Sequence, residues 1–215
     1  MQKLMVAALS SGAGKTSVSM GLAALFRQSG KSVQVYKTGP DYIDPQFYGP
    51  ITGRRCINLD PYFLSESELS ETFSRYQSEA DILLVEAAMG LTDGIAGQGD
   101  RASALQVART LSLPILLLVA RGAEAEAAEK IAALTAEDRA RIRGIVLNEG
   151  GKEEAKSESE LPREMAGVPV LGRIPALGKQ TLKSRHLGLV VPLEAEEILD
   201  FARRMAAALK EALPQ

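Results

Sequence analysis

Cysteine, histidine and tryptophan are nearly absent from this sequence, and each scarcity excludes a class of protein. Among 215 residues there is one cysteine, one histidine and no tryptophan. A single cysteine, Cys56, cannot form an intrachain disulfide or a cysteine-rich zinc site, which favours a reducing compartment. Aromatic residues make up 5% of the chain, and charged residues 24%. This composition excludes collagen, coiled coil and global disorder.

Long apolar runs and an excess of one charge are also missing. The longest apolar run, residues 113–120, is too short to span a bilayer. The run at residues 4–9 is shorter than the apolar region of a signal peptide. With 25 basic and 27 acidic side chains, the net charge of −2 gives no electrostatic footprint for nucleic acid. We therefore expect a cytoplasmic protein with one domain, 1–215, that binds neither membrane nor nucleic acid.

Short β-favouring runs alternate with helical patterns along the chain. Most of the runs are apolar throughout, which is typical of strands buried on both faces of a parallel sheet. The alternation predicts right-handed crossovers and an α/β fold with a doubly wound, mostly parallel sheet. The predicted strands are residues 4–9, 33–37, 81–86, 114–119, 144–148 and 168–174. The predicted helices are residues 15–28, 66–76, 102–111, 123–134 and 194–213.

Two stretches do not follow this alternation of strands and helices. Residues 38–61 are rich in glycine, proline, aspartate and tyrosine and show no clear period, so they are interpreted as a long loop. Loops of that length in compact domains usually carry function or are disordered. Residues 150–160 are polar and dense in charge, which predicts a mobile surface loop.

A glycine-rich turn follows the first predicted strand and opens the first predicted helix. Backbone N–H groups at a helix N-terminus bind anions, and glycine allows the close approach that a phosphate needs. In this pattern the lysine reaches the terminal phosphates and the threonine hydroxyl ligates magnesium. Leu9 stands where the full pattern has its first glycine, so an ordinary strand–helix turn remains the alternative. The candidate nucleotide-binding residues are Ser11, Gly12, Ala13, Gly14, Lys15, Thr16 and Ser17.

Acidic residues follow the predicted strands at the edge where a nucleotide would bind. Asp41 and Asp44 come after the second strand, and Glu86 ends the third. In an open α/β sheet the ligand crevice lies off the carboxyl ends of the strands, and magnesium prefers such hard oxygen ligands. We therefore expect Thr16, Glu86 and either Asp41 or Asp44 to hold Mg²⁺. Solvated loop residues are the alternative for both aspartates.

Three further residues are candidates at the same edge. Lys37 ends the second strand, where its charge could neutralise a γ-phosphate or hold a substrate carboxylate. Asn148 ends the fifth predicted strand and could recognise a purine edge, although a turn asparagine is an alternative. Asp93 lies in a glycine-flanked turn, so a contact with substrate and a plain turn role are both open.

Six segments together resemble the N-terminal synthetase domain of cobyrinic acid a,c-diamide synthase, and more distantly dethiobiotin synthetase. The resemblance covers residues 1 to about 192 in order, and the second and last segments are the most specific. The segments are SSGAGKT (10–16), KTGPDYIDP (37–45), GRRCINLD (53–60), EAAMGLTDG (86–94), GIVLNE (144–149) and SRHLGL (184–189).

The resemblance implies a P-loop fold of the dethiobiotin synthetase type and a ligase that requires ATP and Mg²⁺. A carboxylate of a tetrapyrrole-like substrate attacks the γ-phosphate, and ammonia converts the acyl phosphate to an amide. Lys15, Lys37, Asp44 and Glu86 are then the expected catalytic residues. Arg185 and His186 are expected at the nucleotide or substrate mouth, and the candidate substrate contacts are Tyr42, Tyr48 and Asp93.

The chain also departs from the family pattern. Tyr48 replaces a histidine that follows the YIDP segment, Ala87 and Ala88 replace a Gly-Val pair, and Thr92 replaces a phenylalanine. Family members usually continue into a glutaminase domain, whereas no Cys–His pair for glutamine hydrolysis is found here. We therefore expect ammonia to arrive free or from a separate glutaminase subunit.

Other classes of function stay open at this stage. One is a nucleotide-dependent dimeric switch or metallochaperone-type ATPase, although Ser10 stands where the best-known switches have an extra lysine. Another is a non-catalytic subunit of a separate amidotransferase. The last predicted helix could form a homodimer interface or pack on its own sheet.

Overall fold

Strands and helices alternate in the computed structural model, which describes residues 1–150, 160–177 and 194–214. Within these residues the strands are β1 (Gln2–Ala8), β2 (Val33–Thr38), β3 (Ile57–Leu59), β4 (Ile82–Glu86), β5 (Ile115–Ala120), β6 (Ile142–Asn148), β7 (Glu164–Met165) and β8 (Val168–Ile174). The helices are α1 (Lys15–Gln28), α2 (Asp44–Thr52), α3 (Glu66–Arg75), α4 (Ala104–Thr110), α5 (Glu124–Ala132), α6 (Ala136–Arg141) and α7 (Ala195–Ala212).

The strands form one sheet in the order β3-β2-β4-β1-β5-β6-β8-β7. All neighbouring pairs are parallel except β7 with β8. The chain starts near the centre at β1 and winds outward in both directions, so helices cover both faces. The predicted doubly wound, mostly parallel α/β sheet is therefore confirmed.

The alternation of side chains along each strand builds two separate cores. On β1, Val6 and Ala8 face a core with α1, α2 and α7, whereas Met5 and Ala7 face a core with α3, α4 and α5. Burial of one large apolar side chain contributes about 1.5–3 kcal/mol to stability. Because both faces are apolar, the sheet requires helices on each side, as the uninterrupted hydrophobic runs predict.

Helix α7 packs directly on α1, the helix that follows the glycine-rich turn. Gly21 of α1 faces Met205 and Leu209 of α7, and a β-carbon at Gly21 would lie 2.8 Å from the Leu209 Cδ1 atom. The absence of a side chain at Gly21 therefore permits the close approach. Met205 and Leu209 are both buried in the monomer.

The predicted loop over residues 38–61 is wrong, because this stretch contains α2 and β3. The proline and glycine content suggested a loop, but one proline lies in the first helical turn, where it is tolerated. The helix is held by burial of Phe47, Tyr48 and Ile51 in the core beside α1. Such tertiary packing overrides weak local propensity.

Two small elements lie outside every predicted segment. Helix α6 has six residues, too few to show a helical period. Its N-cap is Thr135, whose side chain accepts a hydrogen bond from the Asp138 N–H group. Strand β7 has two residues and pairs only with β8. The surface loop predicted at 150–160 falls mainly on residues 151–159, which lie outside the described residues. None of the described helices has the length and apolar content needed to cross a membrane.

Candidate nucleotide and metal site

The glycine-rich turn connects β1 to α1 and leaves the first helical N–H groups available to a ligand. Gly14 is the N-cap residue with φ of 89°, and Gly12 has φ of 79°, both in the left-handed region that glycine adopts easily. No side chain caps this helix, and no acidic residue occupies its first turn. Within α1 itself, therefore, no residue neutralises the positive end of the helix dipole, which favours an anion site.

Lys15 lies within this turn rather than extending into solvent. Its side chain is buried, and Nζ donates a hydrogen bond of 3.2 Å to the Ser10 carbonyl oxygen. Burial, followed by repulsion from Lys37, lowers the pKa of Lys15 to about 8, although nearby carboxylates oppose this. An anion bound in the turn would relieve the repulsion and favour the charged ammonium.

Thr16 joins the turn to two of the predicted carboxylates. Its hydroxyl donates to Glu86 Oε1 at 2.6 Å and lies 3.2 Å from Asp44 Oδ2. The Glu86 side chain is completely buried, and Asp44 is also buried. Three oxygen groups therefore converge at the first turn of α1, although they come from three different elements.

Lys37 supplies the positive charge that this acidic cluster needs. It lies beside Glu86 in the pairing of β2 with β4, and its Nζ atom is 2.7 Å from both Glu86 Oε1 and Asp44 Oδ2. Burial alone would lower the pKa of Lys37, but the charges and hydrogen bonds of Glu86 and Asp44 raise it above its ordinary value. The lysine is therefore a fixed cation that keeps two buried carboxylates together.

Asp41 and Asp44 play different structural roles. Asp41 Oδ1 accepts hydrogen bonds from the Ile43 N–H at 2.9 Å and the Asp44 N–H at 3.2 Å, so it organises the start of α2. Its other oxygen is 3.7 Å from Lys37 Nζ. Asp44 Oδ2 lies 3.2 Å from the Thr16 hydroxyl. This geometry favours Asp44 over Asp41 as the carboxylate closest to the turn.

Tyr48 lies beneath the cluster, away from solvent. The side chain is fully buried, and its hydroxyl donates a hydrogen bond to Glu86 Oε2. Burial and the charge of Glu86 raise the pKa of Tyr48 well above its ordinary value, so the phenol stays protonated. The structure therefore places this predicted substrate contact behind the carboxylate rather than at the surface of the crevice.

Asn148 supports the glycine-rich turn from the end of β6. Its Nδ2 atom donates to the Ala13 carbonyl oxygen at 2.9 Å, and its Oδ1 atom accepts from the Gly150 N–H at 3.2 Å. A β-carbon at Gly14 would overlap the Asn148 amide. Both polar ends of Asn148 thus contact main chain, and its role at a purine edge stays a prediction.

The remaining candidates are exposed or partly buried residues and two residues that lie outside the described part of the chain. Asp93 is exposed, and its Oδ2 atom accepts from the Gly90 N–H at 2.7 Å, which fixes the turn after β4. Tyr42 is 81% exposed, and Ser11 is also exposed, whereas Ser17 is partly buried. Arg185 and His186 lie outside the described residues, so their predicted place at the mouth stays a prediction.

Two supporting residues were missed by reasoning from sequence. The Thr38 hydroxyl accepts a hydrogen bond of 2.7 Å from the Ala88 N–H, which joins the loops after β2 and β4. Asn58 Nδ2 donates to the carbonyl oxygens of Gly39 and Asp41 at 2.9 and 2.7 Å. Thr38 lies in the segment KTGPDYIDP and Asn58 in the segment GRRCINLD. The family motifs therefore include both residues, although the spacing of residues alone did not indicate their role.

Comparison with known proteins supports the interpretation of this chain as a nucleotide-binding domain. Residues 4–187 match the family described as CobQ/CobB/MinD/ParA nucleotide binding domain. The cobyrinate a,c-diamide synthase of Gloeobacter violaceus is 38% identical over 213 residues, covering 97% of this chain and 46% of that protein. The hydrogenobyrinate a,c-diamide synthase of Streptomyces coelicolor is 36% identical over 215 residues, covering 97% of this chain and 44% of that protein. The chain therefore spans less than half the length of these curated relatives.

Solved structures support the fold. The MinC:MinD cell division protein complex of Aquifex aeolicus contains a chain with a TM-score of 0.58 and 15% identity, with coverage of 100% of this chain and 98% of that one. MinD of the same organism gives a TM-score of 0.56, again at 15% identity, with coverage of 96% and 97%. The family match, the sheet order and the glycine-rich turn agree, and we conclude that this chain belongs to the CobQ/CobB/MinD/ParA nucleotide-binding domain family.

Proposed function

We propose that this chain binds ATP with Mg²⁺ and activates a carboxylate of a tetrapyrrole-like substrate for conversion to an amide. The observation that carries the proposal is the convergence of Thr16, Asp44, Glu86 and Lys37 beside the glycine-rich turn. Relatives named as a,c-diamide synthases over nearly the whole chain support the substrate class.

The oxygen donors fit the usual coordination of magnesium beside a nucleotide. Mg²⁺ takes six oxygens and commonly uses one or two carboxylates, with the remaining positions filled by water and substrate phosphates. Thr16, Asp44 and Glu86 offer one hydroxyl and two carboxylates at one place. Over the described residues no group of three or more His, Cys, Asp or Glu side chains forms a metal site. Bound Mg²⁺ would neutralise charge on the transferred phosphoryl group.

In the proposed reaction the protein contributes positioning and charge rather than covalent chemistry. A substrate carboxylate oxygen attacks the γ-phosphorus, the bond to the β-phosphate oxygen breaks, and ADP leaves. Ammonia then attacks the carbonyl carbon of the acyl phosphate, inorganic phosphate leaves, and a proton is released. Lys15 in the turn and Lys37 beside the carboxylates are the cations that would stabilise the developing negative charge.

The source of ammonia is part of the proposal. Glutamine hydrolysis needs an accessible cysteine thiolate, and the one cysteine of the sequence, Cys56, is buried in the core beside α1 and α2. Burial, followed by the charge of Glu86, raises the pKa of the Cys56 thiol. We therefore propose that Cys56 takes no part in glutamine hydrolysis and that ammonia enters from solution or from a glutaminase domain or subunit outside residues 1–215.

Exposed apolar side chains near the carboxylates support a substrate with a large apolar ring. Residues on the loops after β2, β3 and β4, which we call the apolar rim, are 62–81% exposed. These three strands are neighbours in the sheet, so their loops lie at one edge. Exposed aromatic and methionine side chains next to a site are typical of a surface that binds a partner or ligand. The apolar rim consists of Tyr42, Tyr62, Phe63 and Met89.

A direct assay tests the proposal. The chain is incubated with ATP, Mg²⁺, ammonium and cobyrinic acid, and ADP and the amide product are measured together. We expect ADP release that requires the carboxylate and yields one amide per ADP, and we expect Glu86→Gln to abolish it. Failure to turn over any tetrapyrrole carboxylate would remove the substrate assignment. Equal activity of wild type and Glu86→Gln would instead support a non-catalytic subunit.

The apolar rim has its own test. Replacing Tyr62 and Phe63 together by serine is expected to raise KM for the tetrapyrrole roughly tenfold, since each aromatic contact contributes about 0.5–1.5 kcal/mol. The affinity for ATP should not change, because both residues lie on the loop after β3 and not in the glycine-rich turn. Tyr76→Ser is the matched control, since Tyr76 is an exposed tyrosine at the end of α3. An equal rise in KM for the control would contradict a binding role for the rim.

A further inference from the structure

The two oxygens of Glu86 have separate partners. Oε1 accepts from the Thr16 hydroxyl at 2.6 Å and from Lys37 Nζ at 2.7 Å. Oε2 accepts from the Tyr48 hydroxyl, which comes from α2 on the core side of the carboxylate. Glu86 and Tyr48 are both fully buried. One face of the carboxylate is therefore directed to the turn, and the other is held by the protein interior.

This division restricts how Glu86 can move. Rotating the carboxylate to offer both oxygens to a cation would break the hydrogen bond from Tyr48. The phenol and Oε2 would then lose a partner inside the core, where buried polar groups are costly to leave unsatisfied. The hydroxyl of Tyr48 thus favours the one orientation in which Oε1 faces Thr16.

We infer that Tyr48 is a positioning residue that fixes Glu86 so that its Oε1 atom alone faces the Mg²⁺–nucleotide site. The inference rests on the proposed function, because it assumes that this site binds Mg²⁺ with a nucleotide. It also explains the replacement of the family histidine at this position, since a histidine N–H and a phenol O–H can both donate to a carboxylate.

Another buried tyrosine, Tyr36, provides a control that distinguishes a positioning role of Tyr48 from a merely structural one. Tyr36 is also fully buried, and its hydroxyl donates to the Phe73 carbonyl oxygen at 2.8 Å. It lies in the core beside α3, on the opposite face of the sheet from Tyr48. Tyr36→Phe and Tyr48→Phe each remove one buried hydroxyl, but only Tyr48→Phe removes a donor to Glu86.

The experiment measures how strongly Mg²⁺ enhances nucleotide binding. Calorimetric titrations with a non-hydrolysable ATP analogue are carried out across a range of Mg²⁺ concentrations for wild type, Tyr48→Phe, Tyr36→Phe and Tyr48→His. Loss of an outer partner of a metal ligand typically costs about 10–100-fold in metal affinity, and we expect a loss in that range for Tyr48→Phe. Binding without Mg²⁺ should be unchanged, Tyr36→Phe should match wild type, and Tyr48→His should retain Mg²⁺ affinity.

The results of this experiment distinguish failure of the proposed function from failure of the positioning role of Tyr48. If wild type shows no enhancement by Mg²⁺, the proposed function fails before the role of Tyr48 is reached. If wild type responds and Tyr48→Phe responds equally, the positioning role is overturned, whatever the change in melting temperature. Should Tyr48→Phe not fold, Tyr48→His decides alone: retained Mg²⁺ affinity supports the role, and a strong loss in the folded variant overturns it.

Discussion

The hydroxyl of Thr16 donates a hydrogen bond of 2.6 Å to Oε1 of Glu86, although the two residues stand 70 positions apart. Thr16 is the second residue of α1, and Glu86 ends β4, which pairs with β1. Parallel strands bring their carboxyl ends to one edge, so the turn after one strand meets the acid at the end of its neighbour. The glycine-rich turn and the carboxylates proposed to hold Mg²⁺ thereby belong to one hydrogen-bonded unit.

The two loop aspartates are expected to respond differently to substitution. Asp44→Asn should lower the Mg²⁺ affinity of the nucleotide complex by at least about 10–100-fold, because it removes a carboxylate beside Thr16. Asp41→Asn is the matched control, since asparagine can still accept the hydrogen bonds at the start of α2. Both affinities are measured by calorimetry. A larger loss for Asp41→Asn would reverse the assignment.

Binding of the triphosphate should take up protons near pH 8. The pKa of Lys15 is lowered to about 8 in the free protein, chiefly by burial and then by Lys37. Bound phosphate favours the charged amine and raises this pKa, so the complex holds more protons than the free protein and affinity falls as the pH rises through 8. Calorimetry in buffers of different ionisation enthalpy measures the uptake.

Two substitutions at Lys15 check the origin of that proton uptake. Lys15→Arg should abolish it, because a guanidinium stays charged throughout this range. Lys15→Ala should abolish phosphate affinity yet leave the protein folded, since the side chain contacts the turn rather than the apolar core. Uptake that persists in Lys15→Arg would assign the effect to another group, and unfolding of Lys15→Ala would refute the ligand-binding role.

Gly14→Ala should weaken nucleotide binding more than Gly12→Ala. Both glycines have positive φ, so each alanine adds backbone strain of about 1–2 kcal/mol. A β-carbon at Gly14 would also overlap the Asn148 amide, whereas a β-carbon at Gly12 has nothing within 4 Å. The Asn148→Ala change in the Gly14→Ala background should recover part of the loss, as measured by nucleotide affinity. Equal effects of the two single variants would contradict the contact.

Lys37→Met should destabilise the ligand-free protein by about 3–5 kcal/mol, because it leaves Asp44 and Glu86 buried without their cation. The pKa of Lys37 in the folded protein lies above its ordinary value of 10.5. Its contribution is therefore complete below pH 10.5 and is lost as the pH rises through the folded value. Urea unfolding against pH measures both effects. A variant as stable as wild type at neutral pH would show that the ion pairs contribute nothing.

Most of the fold could be predicted from the sequence, because its long elements have strong periods. The strand at 115–120 is apolar throughout, the strand at 82–86 is apolar up to its terminal Glu86, and α1 buries apolar residues such as Val18 and Leu22. Helix α2 was not predictable in this way, since its nine residues include two prolines and a glycine. Its stability comes from burial of Phe47, Tyr48 and Ile51 in a core that local sequence does not describe.

Site residues that follow the end of a strand could be predicted from the sequence. Contacts between residues that are far apart in the sequence could not. Lys15, Thr16 and Glu86 follow from the turn and the terminal acid of β4. The contact of Tyr48 with Glu86 depends on how α2 packs under the sheet, and Asn148 reaches Ala13 from 135 positions away. Such contacts depend on tertiary packing, which motif spacing does not encode.

The close packing of α1 on α7 through Gly21 has a consequence for biosynthesis. During translation the glycine-rich turn and α1 leave the ribosome early, but the apolar stripe of α1 is covered by residues 195–212. Until those residues emerge, the nascent helix that carries Lys15 exposes part of its hydrophobic face. Acquisition of nucleotide affinity is therefore expected only after α7 has emerged and docked.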